Sequence, residues 1–470
     1  MLFQSFAFIV FLLIIWVCYW KMPSRNRWCL MLAAGCFYYS LWNIKYIVLV
    51  FATAAFSYML AYRIEKEQGR RRKIFFTADI VLELAVLFIF KYLGFFEEIY
   101  NDILSLLGSS AQISIFQLAL PVGISFYIFQ TLAYVIDVYT GKIPAERHFG
   151  YFLESVIFFP ILLAGPIERI QYLTTQFKQE KPFSYDESCM ALQRMLLGYM
   201  KKMIIADSLA AVIGRVYSDL ETYRGFPLLL AMLLYSIQIY CDFSGYSDIA
   251  IGTAGLFGIT IHPNFKQPYF ADSIKEFWKR WHISLTSWFR DYIYIPLGGN
   301  RVSAWRNGRN VMCVYVFSGL WHGADWTFLV WGGMNGILQI AEGILVKGKS
   351  LPACPKIIRQ LLTFVLVSIM WVFFRMDSVA DALFVIGHCL DGISAFGTYI
   401  AGGIQLLSIS RMQVCLLAVF LVILFFSDWM QEKGKIKAFH GYQVSIVLFI
   451  AMLYYFKYGI DSSTFIYFQF

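Results

Sequence analysis

Apolar residues in this chain come in long unbroken runs rather than in alternation. Leu2–Tyr19, Trp28–Leu41, Tyr46–Tyr62, Ile74–Phe90, Phe116–Val138, Phe226–Ile259, Val311–Val346, Leu361–Phe374, Val414–Phe426 and Val444–Tyr455 follow one another from end to end. A helix needs about 20 residues to cross a hydrocarbon layer about 30 Å thick. Backbone polar groups in that layer have no water to bond, so each run predicts a helix. Several runs are long enough for two helices and others are too short for a full crossing. The pattern therefore predicts an all-α integral membrane protein with roughly eleven to thirteen membrane-embedded helices, some short or re-entrant. No soluble domain is left over. Residues 1–470 read as one domain, with N-terminal helices over 1–140, a core over 141–350 and C-terminal helices over 351–470. The first run lacks a basic leader and a small-residue cleavage site, so it is expected to be a retained helix.

Two stretches break this pattern. In the first, Ile261–Arg309, a helical projection of Glu276–Tyr292 gathers Trp278, Trp281, His282, Leu285, Trp288, Phe289 and Tyr292 on one side. Glu276, Lys279, Arg280, Ser287, Arg290 and Asp291 gather on the other. That predicts an amphipathic helix near 272–294, lying at a membrane interface with its indoles at headgroup level and His282 at the margin of the aromatic face. The second stretch is Ser318–Trp326. His322 sits there inside an apolar run, about 20 Å along a helix from Arg309, the last preceding cation. An ionisable group at that depth is costly and is a functional candidate by default. Gly319 and Gly323 flank the Trp321–His322 pair, which predicts close helix approach or a local break that leaves His322 open to a ligand. Asp325, three residues on, is expected on nearly the same helix face.

Composition agrees with the pattern, since 59% of residues are hydrophobic and only 15% charged, which excludes an ordinary soluble domain. Lys21, Arg25 and Arg27 fall between the first two runs, and Arg63, Lys66 and Arg70–Lys73 between the third and fourth. The positive-inside rule makes both loops cytoplasmic and the N-terminus external. Loop asymmetry and anionic lipid headgroups account for the net charge of +9 without a nucleic-acid partner. The nine cysteines are scattered without C-x-x-C pairing, so neither a disulfide framework nor a metal cluster is expected. Asp137, Asp207, Asp242 and Asp248 punctuate apolar runs and are expected to cap helices or pair with cations such as Lys201 or Lys202.

Eight strings carry a resemblance: Leu120–Gln130, Ala164–Ile167, Asp242–Gly252, Phe277–Leu285, Asp291–Arg301, Gly319–Gly323, Trp371–Arg375 and Phe465–Phe470. In this order and spacing the chain resembles the membrane-bound O-acyltransferase family. It is most similar to the branch containing the membrane subunit of alginate O-acetyltransferase and relatives that acetylate other exported polysaccharides. The resemblance implies a helical bundle around a buried chamber. A cytoplasmic acyl donor would enter it from one side and an acceptor from the other. It also implies that His322, of the Trp-His-Gly string, is catalytic and that His282, of the Arg-Trp-His string, is its companion. Where relatives often carry a further histidine, this chain has Trp331-Gly-Gly-Met-Asn-Gly336, so no third histidine is assigned. The family's frequent handover to an extracytoplasmic SGNH-hydrolase-type protein makes such a partner an expectation here.

The residue types suit that chemistry. Attack of a hydroxyl on a thioester carbonyl needs a base, and neutral imidazole serves near pH 7. His322 is the expected base, with Ser318, Trp321, Asp325, Asn335, Gln130 and Tyr246 as substrate-binding candidates. No bound cofactor or metal is expected; an acyl-CoA, most simply acetyl-CoA, or a carrier-protein thioester would be the donor. The expected setting is the bacterial plasma membrane, with membrane lipids and an exported polysaccharide as further partners. D-alanyl transfer to teichoic acid and lipid or polymer transport are the competing readings. The absence of a visible internal repeat counts against the transporter.

Overall fold

The computed structural model describes residues 1–109, 111–114, 118–347, 354–407 and 411–433. The expected run Val444–Tyr455 and the terminal string Phe465–Phe470 lie outside the described residues. Those described form helices and turns, with no strand among them, in two compact units. Four of the helices are long and apolar enough to cross a membrane, or five if one bent pair counts as a span.

The first unit holds Met1–Leu192 and Ala250–His262. Its helices are α1 (Phe6–Lys21), α2 (Arg27–Lys66), α3 (Gly69–Leu87), α4 (Leu93–Leu106), α5 (Ile124–Tyr139), α6 (Phe149–Ile157), α7 (Ile170–Phe177) and most of α8 (Tyr185–Tyr199). Ser5 starts α1 by accepting a hydrogen bond from the Phe8 amide. At 40 residues α2 is about 60 Å long, twice the layer it would cross. Asn43 resolves this by leaving the helical region, at φ −163° and ψ 112°, between the two runs read as separate spans. Against α2 and α5, α3 buries Asp79 and Glu83 completely. The Ser57 and Thr131 hydroxyls donate to the two Glu83 oxygens at 2.7 and 2.8 Å. Sequence inspection passes over these acids, because nothing in the run Ile74–Phe90 reveals the hydroxyls that two other helices bring to them.

The second unit holds Gln193–Ile249 and the chain from Pro263 onward. It comprises the end of α8, a π-helical turn at Met200–Ala206, α9 (Asp207–Tyr217), most of α10 (Phe226–Gly255), α11 (Ile274–Arg280), α12 (Ile283–Phe289), α13 (Ala304–His322), α14 (Trp326–Lys347), α15 (Lys356–Arg375), α16 (Val379–His388), α17 (Phe396–Leu407) and α18 (Arg411–Glu432). Gly198 and Gly245 let α8 cross α10 closely, since a Cβ on either would lie 2.6 or 2.8 Å from the other's carbonyl oxygen. At that crossing the π turn directs two adjacent lysines onto acids of α9 and α10. Lys201 Nζ lies 2.8 Å from Asp248, and Lys202 Nζ lies 2.9 Å from Asp207 and 2.6 Å from Asp242. These are the pairings expected for punctuating aspartates.

The expected continuous helix over Glu276–Tyr292 is not what forms. It breaks at Trp281–His282 into α11 and α12 and ends in a π turn at Arg290–Tyr294. The apolar face persists, and Trp278, Trp281, Leu285, Trp288 and Phe289 are buried within the protein.

Candidate active site

His282 owes its position to a backbone conformation that its own sequence does not favour. It sits at φ +44° and ψ 54°, in the left-handed region, where a side chain with a Cβ costs about 1–2 kcal/mol. A segment 18 residues earlier holds it there. The Asn264 carbonyl accepts from the Ile283 amide at 2.9 Å, and the Asn264 side chain accepts from the Ser284 amide at 3.1 Å. Lys266 donates to the Arg280 carbonyl at 3.0 Å, so the chain on both sides of the break is paired. On the far side Arg280 ties α11 to α18 through a two-pronged contact with Glu432, at 2.7 and 3.2 Å.

His322 is the last residue of α13, and the extended backbone of Gly323 ends the helix there. Three glycines place α13 against α14. A Cβ on Gly319 would collide with the Phe328 carbonyl, one on Gly332 with the Tyr315 carbonyl, and one on Gly323 with the Phe328 ring. The expected close approach and the expected break are therefore both present. The space beside Gly319 and Gly323, however, is filled by Phe328 instead of standing open to a ligand. Gly319→Ala is expected to lower the thermal unfolding midpoint in detergent by the equivalent of about 1–3 kcal/mol, because the added methyl has backbone rather than a movable side chain in its way.

The two histidines share one aromatic cluster. Their ring centroids lie 6.4 Å apart. The His322 ring makes edge contacts with Trp321 at 4.9 Å, Trp331 at 5.2 Å and Phe374 at 5.1 Å. Phe243 of α10 meets the His282 ring edge-on at 4.6 Å, and Trp321 lies 5.9 Å from it. A second layer of Trp278, Trp281 and Trp371 backs this wall, with Trp371 stacked on Trp331 at 5.7 Å. Burial among these rings pushes the His282 imidazole down, to about 3, which keeps it neutral at physiological pH; neither α11 nor α12 is among the spanning helices.

The other expected site residues are placed less uniformly. Trp321, Ser318 and Asn335 are buried in the same unit as the histidines. Asn335 accepts from the Trp278 indole at 3.2 Å and donates to the Trp331 carbonyl at 2.8 Å, so it braces the aromatic cluster. Asp325 does not share a helix face with His322, because α13 has already ended. Its carboxylate accepts from the Thr327 amide at 2.8 Å and starts α14. Tyr246 is buried on α10. Gln130 belongs to the first unit, where its amide donates to the Ser155 carbonyl at 3.1 Å, and its helix neighbour Tyr134 accepts from the Glu146 amide at 2.8 Å. Among the described residues no group of three or more His, Cys, Asp or Glu side chains is placed to hold a metal ion. Sequence inspection missed Asn264; an asparagine is an ordinary turn residue, and only the fold shows what it holds.

Comparison with known proteins gives this cluster its context. The sequence model of MBOAT, the membrane-bound O-acyltransferase family, matches residues 146–379, a range that includes both histidines. The protein named "Probable alginate O-acetylase AlgI" in Azotobacter vinelandii is 36% identical over 430 residues, covering 90% of this chain and 84% of that one. This chain belongs to the membrane-bound O-acyltransferase family. Its Pseudomonas aeruginosa counterpart of the same name is also 36% identical, over 91% of this chain and 81% of its own length. The "Peptidoglycan O-acetyltransferase" of Helicobacter pylori is 33% identical over 80% of this chain and 76% of its own. The chain is thus a membrane-bound acyltransferase, and the buried histidine pair lies within the region that defines the family.

Proposed function

We propose that this enzyme moves an acetyl group from a cytoplasmic thioester, acetyl-CoA or a carrier-protein thioester, to hydroxyls of an exported or cell-surface polysaccharide. The observation that carries this reading is the pair of imidazoles, 6.4 Å apart, in a buried aromatic cluster. The names of the similar proteins, which specify alginate and peptidoglycan O-acetylation, support acetyl as the group and a polysaccharide as the acceptor.

In this reading the His322 imidazole takes the proton of the acceptor hydroxyl as its oxygen attacks the thioester carbonyl. The tetrahedral intermediate then collapses. Its carbon–sulfur bond breaks, the thiolate leaves, and the imidazolium returns the proton to sulfur, so the products are an ester and a neutral thiol. His282 orients the donor or stabilises the oxyanion, since a desolvated polar group aimed at developing charge acts most strongly where water is excluded. Ser318 and Trp321, buried close to His322 in sequence, line the path of the acyl group, and Tyr246 lines it from α10. Asp325 is a secondary contact.

The membrane setting gives the enzyme its use. The charged donor cannot cross a bilayer, whereas a site within the layer lets the acyl group pass without its carrier. The proposal places the enzyme in the bacterial plasma membrane, with eleven to thirteen embedded helices and the N-terminus outside, the acetyl group passing to the polysaccharide directly or by way of an extracytoplasmic SGNH-hydrolase-type partner. Donor competition tests the substrate class. Purified protein in proteoliposomes should release free CoA from acetyl-CoA in the presence of acceptor. Turnover of a D-alanyl carrier thioester with no turnover of acetyl-CoA would transfer the assignment to D-alanylation. Polymer flux without thioester consumption would make the protein a transporter.

A further inference from the structure

Buried serine and threonine hydroxyls in a helix ordinarily donate back to the carbonyl one turn earlier. In the second unit Thr363 does so to Arg359 and Ser368 to Phe364, both at 2.8 Å. Ser244 and Ser247 of α10 do not. They are 1% and 2% exposed, and their hydroxyl oxygens have no hydrogen-bond partner at all. A buried polar group left unsatisfied costs about 1–3 kcal/mol, so two in adjacent turns of one helix need an explanation.

Their position on the helix supplies one. At about 100° per residue, Tyr240, Phe243, Ser244 and Ser247 fall within about a 100° arc of α10. The first two residues of that stripe already face the break between α11 and α12. The Tyr240 ring lies 6.3 Å from Trp281, and the Phe243 ring 4.6 Å from His282. The two hydroxyls continue the same stripe one turn onward. Nearby charge is spoken for: Lys202 is held by Asp207 and Asp242, and Asp248 by Lys201 and Arg194. The stripe is therefore uncharged where the serines lie, which suits a neutral oxygen function and not a phosphate.

We propose that Ser244 and Ser247 are substrate-binding residues whose hydroxyls, unsatisfied in the free enzyme, hydrogen-bond the neutral oxygens of the reacting groups beside His282. This rests on the acyltransfer reading above. The shared chemistry is a carbonyl or alcohol oxygen, which either the acyl thioester or the acceptor would bring. Because the hydroxyls bond nothing in the free protein, removing them should not weaken the fold.

The test is steady-state kinetics and thermal unfolding of S244A, S247A and the double variant in proteoliposomes, with acetyl-CoA and acceptor varied in turn, alongside H322A. The expected result is an unfolding midpoint equal to or above that of the unaltered protein. The expected kcat/KM falls about tenfold per hydroxyl, for one substrate or for both. A loss confined to the acetyl-CoA series identifies the thioester as the ligand, and one confined to the acceptor series identifies the alcohol. S247T, which keeps a hydroxyl, should recover part of the loss. Unaltered kinetics in the double variant while H322A is inactive would overturn this inference and leave the acyltransfer reading standing. A lowered unfolding midpoint would show the hydroxyls to be structural and overturn it as well. An active H322A would overturn the reading on which it rests.

Discussion

Replacing His322 with alanine is expected to lower acyl transfer by about a thousandfold or more, the loss that accompanies removal of a general base, while leaving a folded protein. The fold should survive because the contacts that position this end of α13 are backbone contacts at Gly319 and Gly332, which the substitution leaves in place. What the ring loses are edge contacts with Trp321, Trp331 and Phe374, and the cavity that remains costs a few kcal/mol at most. Should that cavity prove too costly, H322N fills most of it and still has no imidazole to act as a base. Acetyl transfer and thermal unfolding measured on the same preparations separate the two effects. Transfer at an unaltered rate in both variants would remove His322 from the chemistry.

The largest effect on stability is expected from Lys202. Its ammonium is fully buried between Asp207 and Asp242, themselves buried, at 2.9 and 2.6 Å. Lys202→Met fits the space but leaves two carboxylates without a counter-charge in a low-dielectric interior. Breaking a buried ion pair from one side costs about 3–5 kcal/mol, a large part of the stability of most proteins. K202M should therefore fail to accumulate as folded protein, as judged by yield and monodispersity in detergent. The triple variant K202M/D207N/D242N, which removes the charges together, should recover much of that loss. Poor folding of K202M with no recovery in the triple variant would mean that the lysine acts through packing and not through charge.

The parts of this molecule that were legible in its sequence are those set by local pattern. Long apolar runs read as helices because the bilayer leaves the backbone no alternative, and His322 stood out because nothing else in its run is basic. Asp207, Asp242 and Asp248 were readable as partners of Lys201 and Lys202, since buried charge needs counter-charge. What was not legible came from residues distant in the chain. The aromatic periodicity of Glu276–Tyr292 fits one continuous helix, yet Asn264 and Lys266 pair with the backbone on either side of His282 and hold a break there. That break directs His282 inward, toward Phe243 and Trp321. Asp325 was read on the face of His322 because helical spacing was carried past Gly323, where the helix stops. Asn335 appeared as a ligand-binding amide because the indole that donates to it, Trp278, lies on another helix, although the carbonyl it donates to, that of Trp331, is one turn back on its own.

The most direct measurement of the central claim is transfer of radiolabelled acetyl from acetyl-CoA to a polysaccharide acceptor by protein reconstituted in liposomes, with H322A prepared in parallel. With the unaltered protein, label is expected to reach the acceptor and free CoA to appear in equal amount, and with H322A both should fall to background. Equal label transfer by the two proteins would contradict that claim.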